Sequence, residues 1–126
     1  MLLADDDPLL RRVLRRALTW SGALDVVGEA GDGARAVALA ETLRPQLVVL
    51  DLRMPGLDGL EVTRRMRAAH PGCAILIYSS VETARGEAAA LAAGADRYLE
   101  KSTGFWAVAE AAEAALTARR RAGGAG

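Results

Sequence analysis

Five short β-favouring apolar runs alternate with five segments of helical periodicity along the chain, and that order leaves few folds open. The runs are Leu2–Ala4, Leu24–Glu29, Leu47–Leu50, Ala74–Tyr78 and Asp96–Glu100. Asp7 as cap and Pro8 at the first position signal the first helix, which repeats Leu10, Val13, Leu14, Ala17 and Leu18 and stops at Ser21-Gly22. The second helix runs from Ala34 to Leu43 before Pro45. The third starts from the capping-box spacing of Asp58 and Glu61 and reaches Ala69, where His70-Pro71-Gly72 breaks it. The fourth spans Glu82 to Ala93 before Gly94, and the last Thr103 to Arg119. Residues 1–119 read as one domain and residues 120–126 as a flexible tail.

A run such as Leu47-Val48-Val49-Leu50, apolar without alternation, must be covered on both faces. Five βα units with short links bury such strands only as a mostly parallel, doubly wound α/β sheet with right-handed crossovers. Ligands of these sheets bind beyond the carboxyl ends of the strands. There the sequence places Asp5 and Asp6 after the first run, Asp51 after the third, Ser79 after the fourth and Lys101 after the fifth. Folding the sheet brings these five side chains to one rim.

Charge and composition remove several classes of function. Sixteen basic and sixteen acidic residues cancel, so no global basic field holds a nucleic-acid backbone. The single cysteine, Cys73, forbids an internal disulfide and a thiolate zinc cage and suits a reducing, cytoplasmic compartment. No apolar run is long enough for a membrane span, and the first seven residues lack the basic region and core of a signal peptide. Fifteen of the sixteen basic residues are Arg. The lone Lys101 therefore marks a place for a compact point charge rather than a planar guanidinium.

Three carboxylates at one rim repel and raise one another's pKa unless a cation intervenes. Mg²⁺ suits such a set, because it takes oxygen ligands octahedrally and keeps room for water and phosphate. One carboxylate then serves as a nucleophile toward phosphorus, and a metal, an ammonium and a hydroxyl stabilise the charge on the phosphoryl oxygens. Asp51, Mg²⁺, Lys101 and Ser79 supply that combination.

The segments Asp5-Asp6-Asp7-Pro8, Asp51-Leu-Arg-Met-Pro-Gly-Leu-Asp-Gly59, Tyr78-Ser79-Ser80, Gly94-Ala95-Asp96-Arg97-Tyr98 and Glu100-Lys101 resemble the CheY-like receiver domain of two-component response regulators. The resemblance extends to about residue 119 and is sharpened by the 22-residue step from Ser79 to Lys101. It implies a flavodoxin-like (βα)5 fold with strand order 2-1-3-4-5. It also implies that Asp51 is the phosphoacceptor for a histidine kinase or phosphotransfer protein. Asp6, Asp51 and the Arg53 main-chain carbonyl would ligate Mg²⁺, with Asp5 acting through water. Lys101 would pair with Asp51 and then with the phosphoryl group. Ser79 would turn its hydroxyl to a phosphoryl oxygen and Tyr98 would turn inward behind it, biasing the surface of the fourth helix, fifth strand and fifth helix.

Ser102 stands where the family often has a cis proline, and Lys101-Ser102-Thr103 is similar to the NarL/FixJ-type branch, whose members usually add a helix-turn-helix DNA-binding domain. No such domain fits after the last helix, so the chain reads as a stand-alone receiver or as part of a longer transcriptional regulator. Residues two after the phosphoacceptor and two after the serine flank the attacking water in the family. Here they are Arg53 and Val81, and Val81 neither orients water nor accepts its proton, which implies slow self-dephosphorylation. Homodimers form in the family through helices four and five or one and five, and nothing in the sequence selects between them.

Other features read as structure: Gly28-Glu-Ala-Gly31-Asp-Gly33 as a turn, His70 as a helix terminus, Cys73 as a small apolar residue, and Arg119–Arg121 as a solvated helix end. Adjacent Phe105 and Trp106 cannot share one helix face, so one packs on the sheet while the other approaches the surface. Three rival readings fit the residues less well. A haloacid-dehalogenase-type phosphohydrolase needs an acid two after its nucleophile, where Asp51 has Arg53. A flavodoxin would repel its phosphate with three aspartates. A degenerate receiver, acting as a protein-interaction scaffold, would lack the acids, hydroxyl and lysine that are present.

Overall fold

Alternate residues of each strand enter two different cores, which is why the apolar runs show no polar interruptions. The computed structural model describes residues 1–126 except 21, 23, 57, 81–83, 105 and 125–126. The elements in order are β1 (Leu2–Ala4), α1 (Pro8–Thr19), β2 (Gly28–Ala30), α2 (Gly33–Leu43), β3 (Leu47–Leu50) and α3 (Gly59–Ala69). There follow β4 (Ala74–Ser79), α4 (Ala84–Ala93), β5 (Arg97–Glu100), a 3₁₀ turn (Lys101–Thr103) and α5 (Ala107–Gly124). All strand pairs are parallel and their order is 2-1-3-4-5, the flavodoxin-like arrangement. Leu2, Val48, Leu50, Ile75 and Ile77 point to one face with Ala36, Val62, Met66 and Ala90. Leu3, Val49, Leu76 and Tyr78 point to the other with Leu14, Leu18, Val108 and Ala112. Helices α2, α3 and α4 thus cover one side of the sheet, and α1 and α5 the other.

Several boundaries differ from the sequence reading. The second strand is Gly28–Ala30 rather than Leu24–Glu29, because β1 pairs only from Leu2 onward. Leu24 and Val26 pack against the core as irregular chain, and the Asp25 carbonyl accepts the N-terminal ammonium at 2.8 Å. Gly28-Glu29-Ala30 is therefore strand, and only Gly31 onward turns. Helix α1 ends at Thr19, capped at Trp20, ahead of Gly22. The capping box forms by half: Asp58 accepts from the Leu60 N–H at 3.0 Å, while Glu61 pairs with Arg64 and Arg65 instead.

The last helix starts four residues later than expected, because Lys101–Thr103 closes a 3₁₀ turn that Gly104, at φ +90°, terminates. It then continues to Gly124, so residues 120–124 of the expected tail are helical. Arg119 is not a solvated end; it grips Asp96. His70 caps α3 and Cys73 is buried, as read. Trp106 is 72% exposed. Ser21, Val81, Glu82 and Phe105 lie outside the described residues. Among the described residues no helix is long and apolar enough to cross a membrane.

Candidate functional site

The parallel ladder itself sets Asp5 beside Asp51. Ala4 is level with Leu50, and the pairing continues one step further as the Asp51 N–H donates to the Ala4 carbonyl at 2.9 Å. On the other side the Asp5 N–H donates to the Ala30 carbonyl at 3.0 Å. Each strand therefore hands its first residue beyond the apolar run to the same rim.

Local hydrogen bonds then aim the carboxylates. Asp5 Oδ1 accepts the Asp7 N–H at 2.9 Å, and Asp51 Oδ1 accepts the Arg53 N–H at 3.0 Å, the same two-residue device used twice. Asp7 caps α1 by accepting from the N–H groups of Leu9 and Leu10, with Pro8 at the start of the helix. Beyond Asp51, buried Met54 pins the loop into the core. Gly59 lets that loop close: a Cβ there would meet the Leu52 carbonyl oxygen at 2.6 Å.

Lys101 follows β5 and reaches back across the rim. Its Nζ donates to Asp5 Oδ2 at 2.7 Å and to Asp51 Oδ2 at 3.0 Å, and sits 6.0 Å from the ring centre of Tyr78. The pairing with Asp51 matches the sequence reading. The equal claim of Asp5 and the ring of Tyr78 were not anticipated, and neither leaves a local signal in the sequence. Asp5 and Asp51 are buried, whereas Asp6 is exposed. Ser79 is fully buried at the end of β4, level with Glu100, and Tyr98 is half-buried on β5 against the α2–α3–α4 core. Arg53 is exposed, and Val81 lies outside the described residues.

Burial dominates the titration of Asp5. It raises the pKa of Asp5, and repulsion from Asp51 adds to it. The bonds from Lys101 and the Asp7 N–H only partly offset that rise. Burial alone would lower Lys101, but its hydrogen bonds to Asp5 and Asp51 outweigh it. The pKa is raised, and the side chain stays an ammonium. One ammonium thus bonds two of the three acids.

The donor set fits a hard divalent cation. Carboxylate oxygens of Asp5, Asp6 and Asp51 lie within 4.8 Å of one another. Octahedral Mg²⁺ spaces its ligand oxygens by about 2.9 Å for neighbours and about 4.2 Å for opposite pairs, so a small contraction or a bridging water completes the fit.

Comparison with known proteins agrees with this fold. The family described as response regulator receiver domain matches residues 1–113. A protein-glutamate methylesterase/protein-glutamine glutaminase of Myxococcus xanthus is 45% identical over 105 residues, which are 82% of this chain and 30% of that protein. The nitrate/nitrite response regulator protein NarL of Escherichia coli K12 is 39% identical over 101 residues, 80% of this chain and 47% of that protein. The chain thus spans less than half the length of these relatives. The solved signal receiver domain of a response regulator NarL from Mycobacterium tuberculosis superposes with a TM-score of 0.86 at 34% identity, covering 92% of this chain and 94% of that one.

Proposed function

The chain belongs to the response regulator receiver domain family of two-component signalling, and on that premise we propose that Asp51 accepts a phosphoryl group from the phosphohistidine of a kinase or phosphotransfer protein. The observation that carries this reading is Lys101 Nζ held between Asp5 and Asp51 beside a third acid. Asp6, Asp51 and the Arg53 main-chain carbonyl would hold Mg²⁺, with Asp5 acting through water. Bound Mg²⁺ supplies charge neutralisation between the incoming phosphoryl oxygens and the carboxylate.

In the transfer a carboxylate oxygen of Asp51 attacks phosphorus, the O–P bond forms and the P–N bond breaks. The electron pair returns to the imidazole nitrogen, and the ring leaves neutral when its other nitrogen carries a proton. Lys101 passes its ammonium from the Asp51 carboxylate to the phosphoryl oxygens, and the Ser79 hydroxyl donates to one of them. Tyr98 turns further inward behind Ser79. The α4–β5–α5 surface, which includes Leu91, Tyr98 and Ala111, is then the readout. The resemblance of Lys101-Ser102-Thr103 to the NarL branch favours a transcriptional regulator as the whole protein.

Incubation with Mg²⁺ and acetyl phosphate, followed by intact mass, tests the reading. One added phosphoryl group is expected on the unaltered chain and none on Asp51→Asn. No added mass, or steady hydrolysis of phosphate esters without modification, would overturn it. Arg53 and Val81 at the positions flanking the attacking water give a long-lived phosphoryl group. Its survival for minutes to hours after the donor is removed is the expected outcome, and loss within seconds would reject it.

A further inference from the structure

The three acids of the cluster are not held alike. Asp5 and Asp51 each have a side-chain bond to Lys101 and a second one to a backbone N–H. Asp6 is exposed, and the Cα–Cβ bond from which its carboxylate hangs is directed by the backbone on either side. The peptide entering Asp6 has its carbonyl on Asp5, and Arg11 Nη1 donates to that carbonyl oxygen. Arg11 is itself steered: its Nε donates to Glu29 Oε1 at 3.1 Å. Glu29 Oε2 is occupied by Arg15, at 3.0 Å from Nη2. Glu29 immediately precedes Ala30, whose carbonyl accepts the Asp5 N–H. Asp5 is thus gripped on both its peptide faces by the edge strand β2, once directly and once through Arg11.

We propose that Arg11, steered by Glu29, is a positioning residue of the acidic site: it fixes the Asp5–Asp6 peptide plane and so aims the Asp6 carboxylate at the divalent cation. The inference rests on the Mg²⁺ reading above. A guanidinium is suited to the task because its fixed fork serves an acceptor on Nε and another on Nη1 at once, which an ammonium cannot do in one plane. Arg11 bonds a neutral carbonyl, not a carboxylate of the cluster, so it orients the site without consuming an acid.

Charge and geometry give opposite signs for its removal. A positive charge near a cation site weakens cation binding, so losing the charge alone would tighten Mg²⁺. Losing the orientation would weaken it, as outer-shell changes at metal sites do, by about tenfold. Mg²⁺ titration by calorimetry of the full chain and of Arg11→Lys, Arg11→Gln, Glu29→Ala and Arg15→Gln separates the two.

The expected result is a Kd raised about tenfold in both Arg11 variants, although Arg11→Lys keeps its charge. Glu29→Ala, which frees the guanidinium, shifts Kd in the same direction. Arg15→Gln breaks the other half of the Glu29 pairing without touching Asp5 and leaves Kd unchanged, with melting in the absence of Mg²⁺ recorded for every variant. An unaltered chain that binds no Mg²⁺ overturns the reading of the acidic cluster. An unaltered chain that binds, alongside Arg11→Lys and Glu29→Ala of equal affinity or an Arg11→Gln that binds more tightly, overturns the clamp alone.

Discussion

Strand β5 has a buried ion cluster at each end, and the two are inverses. After its carboxyl end one ammonium, Lys101, is shared by the carboxylates of Asp5 and Asp51, whose side chains are 5% and 4% exposed. Before its amino end one carboxylate, Asp96, 4% exposed, is shared by the guanidinium groups of Arg67 and Arg119, each at 2.7 Å. Asp96 also accepts the Ile75 N–H at 2.8 Å, and the spare guanidinium donors go to the carbonyls of Gly94, Pro71 and Cys73. These bonds tie α3, β4, β5 and α5 together. At the opposite rim the acids outnumber their cation and burial pushes Asp5 upward. Equal burial of a carboxylate does not make a reactive site; an excess of like charge awaiting a cation does.

The largest expected effect breaks the closed cluster. Asp96→Ala leaves two part-buried guanidinium groups facing each other and should cost about 3–5 kcal/mol in urea unfolding. A loss under about 1 kcal/mol would mean the cluster is ornamental rather than a tie. Next comes Cys73, which abuts that cluster and has its thiol pushed up to about 11 by burial, even with Arg67 nearby. A thiol whose folded pKa exceeds its unfolded value of 9.0 contributes stability that is complete below pH 9 and is lost as pH rises through 11. The contribution is about 3 kcal/mol. The decline of stability across that window should shrink in Cys73→Ala, and the native thiol should resist alkylation at neutral pH.

The open cluster responds differently. Mg²⁺ at ten times its Kd should stabilise the unaltered chain by about 1.4 kcal/mol, read as a shift in thermal melting that Asp6→Ala abolishes. Smallest of all, and opposite in sign to the Asp96 change, Asp5→Asn without divalent cation should stabilise by less than about 1 kcal/mol, since it relieves repulsion while Asp51 still holds Lys101. If Asp5→Asn and Asp96→Ala destabilise alike, the contrast between the two ends of β5 is wrong.

Legibility in the sequence followed the range of the interaction. The apolar runs located β1, β3, β4 and β5 to within a residue or so, and their ends named the rim acids, Ser79 and Lys101. The second strand was misplaced because its extent depends on where β1 offers a partner, not on its own β-favouring residues. The first turn of α5 was lost to a 3₁₀ turn that the positive φ of Gly104 imposes. Lys101 stood out as the only lysine, whereas Arg11, Arg67 and Arg119 are three arginines among fifteen, with nothing local to mark them.

By itself the sequence determined the alternation of elements, the two-sided burial of the strands and the set of chemical groups delivered to their carboxyl ends, because each of these is written in patterns a few residues long. Only the tertiary structure decided which cation meets which anion. Lys101 finds Asp5 across 96 residues, Arg67 finds Asp96 across 29, and Arg11 finds the Asp5 carbonyl through the edge strand. A charge is a property of one residue, but its partner is set by strand register and helix packing, and neither exists until the whole sheet has closed.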